Sequence, residues 1–183
     1  MEDAHPFADW AMLIEKRAKR CMPPYNVLFL CTGNSARSIL AEAILNHRGK
    51  GAFAAHSAGC HPQGRVRPEA LRQLICSGIP TQGLCSKSWD EFSAGRAPRM
   101  DFIFTVCDNA AVEVQPKWPG RPATAHWGVP DPAAVVGTSD EIASAFHDAF
   151  VALDRRIGLF LGLPFATLTR QQLQHELESI GRA

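Results

Sequence analysis

The sequence predicts an α/β domain: a central four-stranded parallel sheet with helices on both faces. Two observations predict it. Apolar runs rich in aromatic and β-branched residues, Val27–Leu30 and Phe102–Val106, alternate with longer segments whose apolar residues recur at helical spacing. Weaker strand patterns at Phe53–Ser57 and Ala123–Trp127 bring the strands to four. A chain of 183 residues suits one such domain with a sizeable core.

The elements follow in order. Over residues 1–24, Phe7, Trp10, Ala11, Ile14 and Ala18 recur at helical spacing among Glu15, Lys16, Arg17, Lys19 and Arg20. This is an amphipathic helix ended by Pro23-Pro24. It either packs on its own domain or serves as a contact in a homodimer or with a partner. The first strand spans 26–31, and a helix over 37–48 follows a tight loop. After a Gly49-Lys50-Gly51 turn, the second strand closes at Ser57-Ala58-Gly59. Residues 68–77 read as a helix, with Pro68 in its first turn and Gly78 just past its end. A short helix is expected over 86–93, before Arg96-Ala97-Pro98-Arg99 breaks the pattern. The third strand covers 101–107, and 108–114 adds a turn of helix.

The fourth strand at 123–127 leads to a loop, 128–136, in which Pro130 and Pro132 flank Asp131. Thr138-Ser139-Asp140-Glu141 is a capping box. The helix behind it carries Ile142, Phe146, Ala149, Leu153, Ile157 and Phe160 on one face, with Arg155-Arg156 near the end that the dipole prefers. Gly162 and Pro164 stop it. Thr169 opens a last helix with Leu173, Leu177 and Ile180. The chain therefore divides into a helical extension (1–24), a main α/β domain (25–166) and a C-terminal helix (167–183).

A formal net charge of +1 points to neither nucleic acid nor an anionic membrane. The six cysteines form no C-x-x-C pair and no metal-ligand spacing, so no bound metal or cofactor is expected. They are too sparse for a disulfide scaffold, which favours a reducing, cytoplasmic setting. No apolar stretch has the form of a signal segment or the length of a membrane span.

The chemistry concentrates in Asn26–Ser38, N-V-L-F-L-C-T-G-N-S-A-R-S. A strand ends in Cys31, a loop follows, and a helix opens at Arg37. Loop N–H groups and the first helical turn would converge on one spot, where the helix dipole favours negative charge. Arg37 adds a planar fork suited to a tetrahedral oxyanion. Helix termini and cations depress thiol pKa below about 8.5, so Cys31 is expected to ionise easily. A lone strand-end cysteine is usually a small buried hydrophobe. The accompanying Gly33, Asn34, Arg37 and Ser38 favour the anion site instead: Gly33 for backbone freedom, Asn34 to tie the loop, Ser38 to donate to a thiolate. In parallel sheets ligands bind beyond the carboxyl ends of the strands. Cys31, Cys107 and Asp131 all fall on that edge.

C-T-G-N-S-A-R-S followed by I-L-A-E resembles the nucleophile loop of the low-molecular-weight tyrosine phosphatase superfamily. Within it, T-V-C-D-N-A-A around Cys107 is most similar to the arsenate reductases built on that fold. The resemblance covers roughly residues 25 to 165. It implies that Cys31 is the nucleophile, that Thr32, Gly33, Asn34, Ser35, Ala36, Arg37 and Ser38 bind the oxyanion, and that Asp131 in D-P-A-A is the general acid. Alone, Asp131 reads as a turn-forming Asp before Pro. The arsenate reductase likeness further implies that Cys107 attacks Cys31 to release arsenite and leave a Cys31–Cys107 disulfide. Neighbouring strands lie about 4.8 Å apart, and a disulfide needs Cα atoms roughly 4.4–6.8 Å apart. Two strand-end cysteines could therefore meet if the first and third strands are neighbours. Positions matching Asn34, Glu42 and Ser57 bind a monovalent cation in some relatives.

The sequence departs from the family in three places. Tyrosine phosphatases of this type usually carry aromatic residues after the D-P pair; here Ala133, Ala134 and Val135 follow. They often carry a second cysteine within the loop, where Ala36 stands. Thioredoxin-coupled reductases carry a third redox cysteine shortly after the second, where this chain has Val114 and Gln115. Recycling would then use glutathione and glutaredoxin directly, or thioredoxin through a substitute such as Cys60 or Cys85, or would be lost. Cys21, Cys60, Cys76 and Cys85 otherwise read as incidental thiols. His126 and Trp127 are expected in the core or along the pocket wall.

The leading expectation is an arsenate reductase with weak phosphatase activity, since arsenate and phosphate are near isosteres. The alternatives are a phosphatase of phosphotyrosine or another phosphomonoester, which needs no Cys107, and a non-catalytic oxyanion-binding or redox-sensing module.

Overall fold

The structure is a computed structural model and describes residues 23–93, 97–113 and 116–183. The leader helix expected over 1–24, the dimer contact assigned to it, Cys21, Val114 and Gln115 lie outside the described residues, apart from Pro23 and Pro24. Four parallel strands form one sheet in the order β2-β1-β3-β4. They are β1 (Tyr25–Cys31), β2 (Phe53–Gly59), β3 (Phe102–Thr105) and β4 (Ala123–His126). The central β1 is covered on both faces, and Val27 to Leu30 have no solvent exposure. That explains why the segment reads as an unbroken apolar run rather than an alternating one.

Among the described residues six helices accompany the sheet: α1 (Arg37–Arg48), α2 (Pro68–Cys76), α3 (Asp90–Ser93), α4 (Asp108–Val112), α5 (Ser139–Leu161) and α6 (Arg170–Gly181). One sheet face packs Val27, Phe29 and Phe104 against α1, α5 and α6; the other packs Leu28, Leu30 and Ile103 against Phe92 and Met100. Burying each large apolar side chain stabilises the fold by about 1.5–3 kcal/mol.

Two anchors fix the helices. Thr138 and Glu141 form the expected capping box, and Phe146, Ala149, Leu153, Ile157 and Phe160 turn the apolar face of α5 inward. Arg48 ties α1 to α5 through the Asp154 carbonyl and carboxylate, both at 2.8 Å. The indole of Trp127 stacks on Phe104 with ring centroids 3.8 Å apart, and its Nε1–H donates to Leu177 O at 3.0 Å. This bond seats α6 on the domain. Trp127 is thus core and not pocket wall, because its polar end already has a partner inside.

The short helix expected over 86–93 is confined to Asp90–Ser93. Gly59 N–H donates to Lys87 O, and Trp89 N–H donates to Gly59 O, both at 3.0 Å. Residues 87–89 therefore extend the edge of the sheet instead of coiling. Among the described residues no helix is long and apolar enough to cross a membrane.

Candidate active site

β1 ends at Cys31, and the chain turns through residues 32–36 before α1 starts at Arg37. Asn34 adopts a left-handed backbone, φ +42°, which Asn tolerates better than most residues. The turn brings its N–H to Cys31 Sγ at 3.2 Å. Gly59 lies against the loop, and a Cβ there would stand 2.5 Å from Thr32 O. The loop carbonyls are bonded away from its centre: Thr32 O accepts from His61 N–H, Gly33 O from Gln63 N–H and Ser35 O from Arg67 N–H, at 2.8–2.9 Å. What remains is a cavity of about 370 Å³ lined by Cys31, Thr32, Gly33, Ser35, Ala36, Arg37, His61, Gln63, Asn109, Asp131 and Ala133.

Cys31 is 4% exposed, with Ser38 Oγ 2.9 Å from its sulfur. Burial pushes the thiol above its ordinary range; hydrogen bonds from Ser38 and Asn34 oppose this, and the nearby Cys107 adds to it. The expectation of an easily ionised thiol is corrected here. Desolvation outweighs the local hydrogen bonds, and the Arg37 charge is already engaged. Arg37 Nη2 lies 2.9 Å from Asp131 Oδ2, and Nη1 donates to Val129 O at 3.1 Å.

Asp131 holds two roles at once. Its Oδ1 accepts from Ala133 N–H at 3.1 Å, capping a single 3-10 turn over Pro132–Ala134, while Oδ2 meets Arg37. Arg67 pins the same loop by donating to Ala133 O at 3.0 Å.

Cys107 follows β3, and β3 is the direct neighbour of β1. Val106 N–H continues the pairing to Leu30 O at 2.8 Å. The Cys107 thiol caps α4 by accepting from Ala110 N–H at 3.4 Å, and Thr32 Oγ1 lies 3.4 Å from it. It opens on a second cavity of about 400 Å³, which shares Arg37, Asn109 and Asp131 with the first. Both cysteines are free thiols. Cys60 is half-buried and donates to Thr32 O at 3.9 Å, whereas Cys76 and Cys85 are exposed. His126 bridges Thr105 Oγ1 at 2.8 Å and Asp108 Oδ1 at 3.0 Å.

Asn34, Glu42 and Ser57 do meet, but not as an oxygen cage. Asn34 Nδ2 donates to Ser57 Oγ at 2.9 Å, and Ser57 Oγ–H donates to Glu42 Oε2. Lys87 Nζ stands 3.6 Å from the same carboxylate oxygen. The residues fit a hydrogen-bonded set better than a cation site, since Asn34 presents its amide N–H group and the one charged ligand faces an ammonium. Sequence reasoning missed Lys87, His61, Gln63 and Asn109. The last three follow β2 or β3 at the same sheet edge, and that placement was the available signal.

The family model of the low molecular weight phosphotyrosine protein phosphatases matches residues 26–177. The chain belongs to this family. Its low molecular weight phosphatase match takes in all four strands, α1 to α5 and most of α6. An arsenate reductase of Halalkalibacterium halodurans is 33% identical over 134 residues, which are 73% of this chain and 93% of that protein. The crystal structure of an arsenate reductase from Archaeoglobus fulgidus superimposes with a TM-score of 0.61 at 27% identity, covering 75% of this chain and 99% of that one. A low molecular weight protein tyrosine phosphatase from T. tengcongensis shares the fold, with a TM-score of 0.60 at 23% identity over 73% of this chain and 95% of its own.

Proposed function

We propose that this protein reduces arsenate to arsenite with Cys31 as nucleophile and Cys107 as resolving thiol. The observation that carries the reading is the second free thiol: Cys107 follows the strand beside β1 and touches Thr32 of the nucleophile loop. A phosphatase has no use for it. Relatives named arsenate reductase, matched over 93–99% of their own length, support the same reading. So does the cavity over Cys31, which has no Phe, Tyr or Trp among its described lining residues to grip a phenyl ring.

The steps follow from the residues. Arsenate enters the cavity, and its oxygens take the Arg37 fork and the loop N–H groups. The Cys31 sulfur bonds to arsenic as its proton passes to the freed Asp131 carboxylate and one As–O bond breaks. The departing oxygen leaves as water, taking that proton from Asp131. Cys107, as thiolate, then attacks Cys31 Sγ. The S–S bond forms, the S–As bond breaks, and its electron pair stays on arsenic, which leaves as arsenite. Two thiols are oxidised and arsenic gains two electrons. An external thiol restores the pair. Glutathione with glutaredoxin, or thioredoxin, supplies it, and Cys60 beside Thr32 is the candidate relay where the third cysteine is missing.

The same loop and acid would hydrolyse a phosphate ester slowly, with water replacing Cys107 in the second step. Arsenite release from reduced protein tests the reading: alone, with thioredoxin and its reductase, and with glutathione plus glutaredoxin. One equivalent alone and sustained turnover in a coupled system is the expected result. No arsenite under any condition would remove the reading and favour the phosphatase.

A further inference from the structure

The nucleophile is wired to a buried ion pair on the far side of its loop. Starting from Cys31 Sγ, contacts run to Ser38 Oγ (2.9 Å), Asn34 Nδ2 (2.9 Å), Ser57 Oγ (2.9 Å), Glu42 Oε2 and finally Lys87 Nζ (3.6 Å). The amide at the middle of this chain favours one order of protons. Asn34 Nδ2 carries only hydrogens, so both serines accept from it. Each hydroxyl keeps its own hydrogen for the other side: Ser57 donates to the Glu42 carboxylate, and Ser38 is free to donate to the Cys31 sulfur. The Asn34 orientation is fixed from behind, because its Oδ1 accepts Lys87 N–H at 2.7 Å. Lys87 thus acts at both ends, holding the amide by its backbone and the carboxylate by its side chain.

The pair is enclosed. Side-chain exposure is 15% for Lys87 and 11% for Glu42, and Lys87 Nζ is also held by Cys85 O at 3.1 Å. A buried carboxylate without a counter-charge tends to take up a proton. A neutral Glu42 could donate to Ser57 instead of accepting from it; the Ser57 hydrogen would then face Asn34 Nδ2 and weaken the amide's hold on both serines. Burial does push the Glu42 carboxyl up, while Ser57 and Lys87 pull it back. His56, the other titratable group there, is pushed toward its neutral form by burial and by Lys87. On the Cys31 side the charged and titratable neighbours are Cys107 and the Arg37–Asp131 pair.

We propose that Lys87 is a positioning residue: its ammonium serves Glu42 as a built-in counter-ion, in place of a bound monovalent cation, and thereby commits Ser38 to donate to the Cys31 sulfur. The inference rests on Cys31 being the nucleophile and not on arsenate being the substrate.

The test is the rate at which iodoacetamide alkylates Cys31, followed by mass spectrometry at constant pH and ionic strength, which needs no substrate. In the parent protein the rate is expected to be the same in potassium chloride and in tetramethylammonium chloride. In Lys87→Met it falls about tenfold, matching the loss of one charge-assisted hydrogen bond of ~1.4 kcal/mol. Potassium or ammonium, but not tetramethylammonium, restores most of it by entering the vacated place. Lys87→Arg keeps most of the parent rate. Should Lys87→Met fold poorly, the double variant E42Q/K87M removes both charges and is expected to be slow and indifferent to potassium. A parent rate that rises with potassium, or a Lys87→Met rate equal to the parent, overturns the proposal. Normal alkylation behaviour with no arsenite release would fault the arsenate reading alone.

Discussion

Arg37 and Asp131 form an ion pair at 2.9 Å across the boundary of the two thiol cavities, and both residues line each of them. An oxyanion that takes the guanidinium fork must first displace the carboxylate. On the proposed mechanism the pair links substrate entry to the freeing of Asp131 as the acid.

Asp131→Asn is expected to separate binding from chemistry. Without the competing carboxylate, phosphate binding measured by calorimetry tightens by about two- to fivefold, the worth of a partly exposed ion pair of ~0.5–1 kcal/mol. Turnover falls by about 10²–10⁴-fold with the loss of the acid. Unchanged or weaker phosphate binding would mean that the pair does not gate the site.

The Cys31 thiol sets a pH dependence. Burial raises its pKa, so the thiolate fraction is low at neutral pH and grows as pH rises. Alkylation of Cys31 in the free protein should accelerate steadily from about pH 6 to about pH 9. Ser38→Ala removes the hydrogen bond that opposes burial, and at any one pH in that range it should slow alkylation about tenfold. A rate already flat at neutral pH would show a preformed thiolate.

Much of this site can be read from the sequence because it is local. Cys31, Arg37 and Ser38 share one strand-loop-helix unit, and the unbroken run Val27–Leu30 announces a strand buried on both faces. Asp131 between two prolines and the Thr138 capping box are equally local signals. What stays hidden is contact between segments distant in sequence. A single lysine at position 87 looks solvent-exposed until the fold sets it against Glu42. The ionisation of Cys31 reverses for the same reason: dipole and cation are visible locally, whereas the desolvating core and the Asp131 partner of Arg37 are not. Trp127 sits beside the acid loop in sequence, yet its indole turns to Leu177.

Trp127 gives the fold a direct test. Trp127→Phe keeps the contact with Phe104 but leaves Leu177 O without its buried donor, and should cost about 1–3 kcal/mol in urea unfolding. Trp127→Ala adds a cavity and should cost about 3–5 kcal/mol. A loss confined to α6, seen as faster amide exchange over 170–181 with the global midpoint unchanged, would mean that the bond seats the helix and not the core.

The capping box at Thr138 bears on stability alone. Thr138→Ala should lower stability by about 1 kcal/mol, read from denaturant unfolding, and leave alkylation of Cys31 unchanged.

The central claim is that Cys107 closes the reaction on Cys31, and one measurement meets it most directly. Reduced protein is mixed with a single equivalent of arsenate, quenched in acid with a thiol-blocking reagent and mapped by mass spectrometry, beside Cys107→Ser. The account predicts one arsenite and one Cys31–Cys107 disulfide per parent molecule. It predicts that Cys107→Ser releases no arsenite yet still hydrolyses a phosphate ester. Arsenite released in equal yield by Cys107→Ser, or a parent protein in which Cys107 stays a free thiol after turnover, would contradict it.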